Sequence, residues 1–228
     1  MDTERWSAAV WPFVRSRLPS PPATVLELGC GSAGGFVRAL RESGYDAAGI
    51  DPAAPAAPGF HRIGFEQFEP EQPVDAVVAS RSLHHVADIG EMVRHIAAVL
   101  RPGGTLVVAE WAWEQFDADT AEWCFSRVDG SREAAEPGWL MRRRDGWRVS
   151  GRPWDAYFAD WATGHELVRA ERILAEFDVH FEPVVCTYGP YFFADLAGVS
   201  DGDEQAAIDR GEIRATGIRY AGTPRPRT

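Results

Sequence analysis

Lysine is absent from this chain; all 23 of its Lys-plus-Arg residues are arginine. So complete a replacement reads as a base-composition bias of the coding sequence and assigns no function. Cysteine is scarce. Cys30, Cys124 and Cys186 are odd in number, scattered and without metal-ligand spacing, so neither a disulfide framework nor a metal site is expected, and a reducing, cytoplasmic setting is. No run of 18 apolar residues occurs, and no basic segment leads into an apolar one at the N-terminus, so neither a membrane span nor a signal peptide is predicted. Positive charge is also in deficit, with 34 Asp and Glu giving a net charge of −11. Nucleic-acid binders draw most of their affinity from neutralising phosphates, so RNA and DNA are not expected partners.

What is present suffices for a core. Hydrophobic residues make up 45% and charged residues 25% of 228, which suits one α/β domain carrying an inserted segment. Trp6, Val10, Phe13 and Val14 fall at helical spacing and predict a helix over residues 4–18, ended by Pro19, Pro21 and Pro22. Residues 24–28 predict a buried strand that runs into a glycine cluster. A helix through Phe36, Val37 and Leu40 follows, capped at Gly44, and then a second strand over 45–50. Residues 52–59 are too few for an ordinary crossover, which needs a dozen or more, so the next helix is expected to be short or missing.

Strands are predicted over 60–63, 74–80 and 105–110. The last two are separated by a helix that opens with the capping pair Asp88 and Glu91 and buries Ile89, Met92, Val93, Ile96 and Leu100. From Trp111 to Trp154 the patterning fades. Helices are then expected over 154–162 and 164–177, the second capped by Thr163 and Glu166, and strands over 179–188 and 214–221. This alternation predicts a doubly wound α/β sheet in a single domain. Its parts are an N-terminal helix and linker (1–22), a ligand-binding core (23–111), a cap (112–178) and the final two strands (179–228).

Gly29-Cys30-Gly31-Ser32-Ala33-Gly34 matches G-x-G-x-x-G, and Asp51 lies 22 residues after the first glycine. Glycines at a strand-to-helix turn let the backbone approach a ligand, and the acid accepts hydrogen bonds from ribose hydroxyls. The pattern alone suits a nicotinamide dinucleotide as well as S-adenosylmethionine. Glu27 favours the second, because a carboxylate beside the turn attracts a cationic ligand and repels a pyrophosphate.

Val25-Leu26-Glu27-Leu28-Gly29-Cys30-Gly31 resembles the first motif of class I S-adenosylmethionine-dependent methyltransferases, and Gly49-Ile50-Asp51 resembles the second. Val74-Asp75-Ala76-Val77-Val78-Ala79-Ser80, with Leu83-His84-His85-Val86, resembles the family's fourth strand and the turn beyond it. Leu100-Arg101-Pro102-Gly103-Gly104-Thr105-Leu106 resembles the turn into strand five. The resemblance covers residues 23–111. It implies a seven-stranded sheet of order 3-2-1-4-5-7-6 with strand 7 antiparallel, and S-adenosylmethionine as cofactor. The implied cofactor contacts are Glu27, Gly29, Cys30, Gly31, Asp51, Pro52 and Ser80, with Phe65 and Glu66 around the adenine. Gly64 stands where relatives often carry Asp, and Phe65 serves equally well as a core residue. The first helix, with Trp6 and Phe13, is expected to fold over the cofactor.

His84 and His85 fall just past strand four, beside the expected methyl group. His85 is the first choice for a base that removes a proton from the acceptor, with His84 second; local packing of the pair is the alternative. Glu110 and Trp111, at the end of strand five, and His165, at the expected start of a helix, are the predicted substrate contacts. Seven of the nine Trp lie within residues 111–161, which predicts an aromatic-walled pocket whose cap also uses some of these rings as its own core. Met141-Arg142-Arg143-Arg144, with Arg148 and Arg152, reads as a solvated charged loop; holding a substrate phosphate or carboxylate is the alternative. The expected reaction is methyl transfer to a small molecule. The alternatives are a protein that binds the cofactor without transferring methyl and, less favoured, a nicotinamide-dependent oxidoreductase.

Overall fold

The computed structural model describes residues 2–128 and 138–226. Helix α1 (Thr3–Arg17) starts where the Asp2 side chain accepts the Arg5 N–H, and it buries the stripe Trp6, Val10 and Val14. Strand β1 (Thr24–Leu28), helix α2 (Val37–Glu42) and strand β2 (Asp46–Ile50) form the expected βαβ unit. No helix intervenes before β3 (Phe60–His61), which pairs with β2 through Gly49 and Ile50. Then come β4 (Val74–Ser80), α3 (Ile89–Val99) and β5 (Leu100–Trp111). Half of the capping pair at α3 forms. Asp88 accepts the Glu91 N–H at 2.9 Å, whereas the Glu91 carboxylate turns to Arg94 at 2.6 Å.

Strands β6 (Phe181–Gly189) and β7 (Gly217–Pro224) complete a seven-stranded sheet of order β3-β2-β1-β4-β5-β7-β6. β7 runs antiparallel to both its neighbours, as expected. Strand alternation divides the core into two layers. Val25, Ala76, Val78, Val107 and Ala109 join α1 and α2, whereas Leu26, Leu28, Val77, Ala79, Leu106 and Val108 join α3 and a later helix, α7 (Ala170–His180).

Between β5 and α7 lie α4 (Ala118–Phe125), α5 (Trp139–Ser150) and α6 (Trp154–Gly164). The helix expected over 164–177 forms only from Ala170 onward, and its Thr163/Glu166 cap is not made. Glu166 turns at φ 52, α7 begins only at Ala170, and Arg169 makes no side-chain cap. Tertiary bonds override the local signal there: Val168 N–H donates to the His84 carbonyl, and its own carbonyl accepts Trp113 Nε1–H. β7 likewise starts at Gly217 rather than Arg214, whose N–H goes to Thr120 and whose guanidinium pairs with Asp117. An unpredicted helix, α8 (Asp201–Asp209), precedes it, opened by a reciprocal Ser200–Asp203 capping box. No helix among the described residues is long and apolar enough to cross a membrane.

Candidate active site

The carboxyl ends of β1, β2, β4 and β5 open into one cavity of about 1360 Å³. It lies where sheets of this winding place ligands, at the point where strand order reverses between β1 and β4. Gly29 has φ +74, and a Cβ there would collide with the Ser82 side chain. Gly31 has φ +63 but faces open space, so its glycine is demanded by conformation and its surface stays free for a ligand. Asp51, at the tip of β2, accepts Gly31 N–H at 3.0 Å and Ala53 N–H at 2.7 Å, fastening the loop. Cys30, Pro52, Phe65, Glu66 and Ser80 line the same end of the cavity. Phe65 serves in both expected ways, being 4% exposed and packed edge-on to His95 at 5.2 Å while also lining the cavity. Burial, with the charges of Glu27 and Asp51, pushes the Cys30 thiol up to about 12, so it stays protonated.

Glu27 departs from its expected place. It is 1% exposed and outside the cavity lining; its carboxyl accepts Phe36 N–H at 2.6 Å, where the glycine loop enters α2. Burial raises its pKa to about 8, against the opposing backbone N–H groups of Phe36 and Val37 and the charge of Arg81. Sharing the parity of Val25, it points toward the α2 layer and holds the glycine loop from beneath.

The turn after β4 is built on Glu110. This side chain, fully buried, accepts the N–H groups of Ser82 at 3.0 Å, Leu83 at 2.7 Å and Trp111 at 2.7 Å, and lies 2.5 Å from His84 Nδ1. Burial alone would raise its pKa, but the His84 charge and hydrogen bond and the backbone N–H groups outweigh that, leaving it below the ordinary value. Glu110 supports the turn and lies outside the residues that line the cavity, where a substrate contact was expected of it. His84 is 4% exposed, whereas His85 is open to the cavity, and their rings lie 4.1 Å apart. Partial burial and then the His84 charge lower the His85 pKa; Glu110 opposes this and His165 adds to it.

Trp111 lines the cavity, stacked on Tyr191 at 5.5 Å and edge-on to His84 at 5.6 Å. His165 also lines it, at the C-terminal end of α6 rather than at a helix start, with Nδ1 2.7 Å from the Trp161 carbonyl. The first helix reaches the site through Thr3, in the lining, and Trp6, whose Nε1–H donates to Ser80 at 3.0 Å; Phe13 stays half-buried in the core. Sequence reasoning missed Tyr191 and Phe192, held by Glu204, which accepts the N–H groups of Tyr191, Phe192 and Phe193. The aromatic run at 191–193 was the available signal. It also misjudged the arginine cluster, which lies in α5 apart from Arg152 just beyond it and sends Arg142 and Arg143 to the cavity wall. Among the described residues no His, Cys, Asp and Glu group could hold a metal.

With this geometry in view, the family model described as methyltransferase domain matches residues 4–166. A ubiquinone biosynthesis O-methyltransferase of Bradyrhizobium sp. (strain ORS 278) is 33% identical over 98 residues. That match covers 37% of this chain and 38% of the relative, so the chain spans well under half the length of that protein. The structure is similar to an S-adenosylmethionine dependent methyltransferase from Mesorhizobium loti, with a TM-score of 0.51 at 19% identity, over 95% of this chain and 98% of the other. It is also similar to the 1,6-didemethyltoxoflavin-N1-methyltransferase of Burkholderia thailandensis, solved with 1,6-didemethyltoxoflavin and S-adenosylhomocysteine. There the TM-score is 0.53 at 14% identity, over 98% and 79% of the two chains. At such identities the two structures establish a shared fold.

Proposed function

Because the chain belongs to the methyltransferase domain family, we propose that it transfers a methyl group from S-adenosylmethionine to a small-molecule acceptor. The observation that carries this reading is the cavity. At about 1360 Å³ it exceeds the roughly 300–1,000 Å³ of a single-ligand pocket, and its two ends differ in chemistry. The glycine-loop end offers the open face of Gly31, the Asp51 carboxylate and the Phe65 ring, which suit the backbone approach, ribose hydroxyls and adenine of the cofactor. The other end has indole, phenol and imidazole walls and suits an acceptor. Glu27 acts on the cofactor only through the loop it holds.

S-adenosylmethionine supplies, when bound, a methyl group already activated by its sulfonium. The chain must then align the acceptor and receive its proton. Alignment in near-attack geometry is worth roughly 7–11 kcal/mol, against about 10²–10⁴-fold for a positioned base, so the walls matter more than the base. With S-adenosylmethionine bound, an acceptor oxygen, nitrogen or carbon would take the methyl carbon as the carbon–sulfur bond gave up its electron pair to sulfur, and His85 would receive the acceptor's proton. A lowered pKa keeps His85 neutral and able to accept it. The three free cysteines and the net charge of −11 support a cytoplasmic enzyme that does not act on nucleic acid.

The test is turnover. Incubation with S-adenosylmethionine and a panel of hydroxylated and aminated compounds should yield S-adenosylhomocysteine with at least one acceptor. Binding of S-adenosylmethionine without transfer to any of them would favour the non-transferring alternative. Asp51→Ala should weaken S-adenosylhomocysteine binding about ten-fold or more by calorimetry. Unchanged affinity would sink the assignment of Asp51 to the ribose.

A further inference from the structure

The cap gives the cavity six lining residues from α5, α6 and the turn after them: Trp139, Arg142, Arg143, Trp161, His165 and Leu167. None is acidic, in a protein with 34 Asp and Glu. The acids that line the cavity, Asp51, Glu66, Asp88, Glu91 and Asp195, all come from other elements. Arg143 stands out within the cap. Among the described residues no carboxylate pairs with it; its guanidinium lies 4.8 Å from the centroid of Trp161, and its Nε is buried without a hydrogen-bond partner. The indole N–H groups of Trp161 and Trp111, also in the lining, are likewise buried without an acceptor.

Those three N–H groups are closed off from solvent, whereas the Arg143 side chain itself lines the cavity with no carboxylate among the described residues to neutralise it. This wall is therefore complementary to a ligand that brings acceptor atoms of its own. The guanidinium fork matches an oxyanion best, and more strongly still in a site that excludes water. The rings set the rest of the shape. Trp161 meets Trp139 at 5.4 Å, Trp139 meets Trp111 at 5.5 Å, and Trp111 meets His84 at 5.6 Å, each edge to face. An aromatic wall therefore runs from Arg143 to the histidine pair.

We propose that the methyl acceptor is an aromatic acid, with its ring along Trp161, Trp139 and Trp111, its oxyanion on Arg143, and its hydroxyl or amino group at the His84–His85 turn. This rests on the methyltransferase reading above and adds the acceptor's class. Carboxylate and phosphate share the recognised chemistry.

The protein, saturated with S-adenosylhomocysteine, is titrated calorimetrically with 4-hydroxybenzoate, phenyl phosphate and the neutral 4-hydroxybenzamide. At least one anion should bind about ten-fold or more tightly than the amide, and which one does so identifies the oxyanion. Arg143→Gln should abolish the preference while leaving S-adenosylhomocysteine affinity unchanged. Trp161→Phe, which keeps one aromatic ring but loses the indole N–H and part of the surface beneath Arg143, should reduce it and guards against an Arg143 variant that fails to fold. Equal binding of amide and anions, a preference that survives both substitutions, or no binding of any probe by protein that holds S-adenosylhomocysteine would overturn the proposal. Failure to bind S-adenosylhomocysteine at all would instead overturn the methyltransferase reading, and this inference with it.

Discussion

His85 and Glu27 both depart from their ordinary protonation behaviour, and each departure has a measurable pH signature. Partial burial, then the His84 charge, hold His85 below 6.5, so its acid limb should lie below that pH. The rate of transfer to a hydroxyl acceptor should therefore fall toward acid pH with a midpoint below that of an ordinary imidazole, as His85 takes up a proton and ceases to be a base. His85→Asn should lower kcat about 10²-fold and remove that limb. A limb that survives the substitution would move the role to His84, which Glu110 orients. Burial holds Glu27 near pKa 8 instead of 4.5, so the folded chain keeps a proton there that the unfolded chain releases. The resulting stability is fully present below pH 4.5 and is lost as pH rises through about 8. Glu27→Gln cannot ionise, so its melting temperature relative to the parent should climb across that window; parallel curves would mean that Glu27 titrates normally.

Three of the turns that shape the cavity are each held by one buried carboxyl group set under backbone N–H groups: Glu27 under the start of α2, Glu110 under the turn after β4, and Glu204 of α8 under residues 191–193. All three are at most 1% exposed. The device suits segments that must leave their neighbours' hydrogen-bond ladders and still face a cavity, because it satisfies several N–H groups at once. Glu110→Ala should then cost about 3–5 kcal/mol in urea unfolding, since it strands three N–H groups and removes the partner of His84. A residue that only touched substrate would lower turnover and leave the unfolding curve unmoved, so the experiment separates the observed role from the one expected of it.

Across the whole molecule, a cavity spanning the sheet's reversal point and the cap links ligand binding to stability. S-adenosylmethionine and S-adenosylhomocysteine, each at 100 times its dissociation constant, should add about 2.7 kcal/mol and raise the melting temperature by roughly 5–10 °C, whereas NAD should not. A shift with NAD alone would leave the glycine loop correctly placed and its ligand wrongly assigned. At this scale the division between sequence and tertiary structure is also plain. Helix α1, strands β1 and β4, the missing helix before β3 and the buried face of α3 follow from residue spacing, because period and turn chemistry act between near neighbours. The glycine loop and Asp51 were legible for the same reason. Strand parity held more than the motif did: Glu27 shares the parity of Val25 toward α2, and Glu110 falls in step with Leu106 and Val108 on the other face. Only the tertiary structure placed Tyr191 and Phe192 against Trp111, turned the chain at Glu166, and carried Arg142 and Arg143 from an apparently solvated run to the cavity wall. These placements depend on contacts between segments distant in sequence, such as Val168 on His84 and Glu204 beneath 191–193, and no local pattern of side chains encodes where such partners meet.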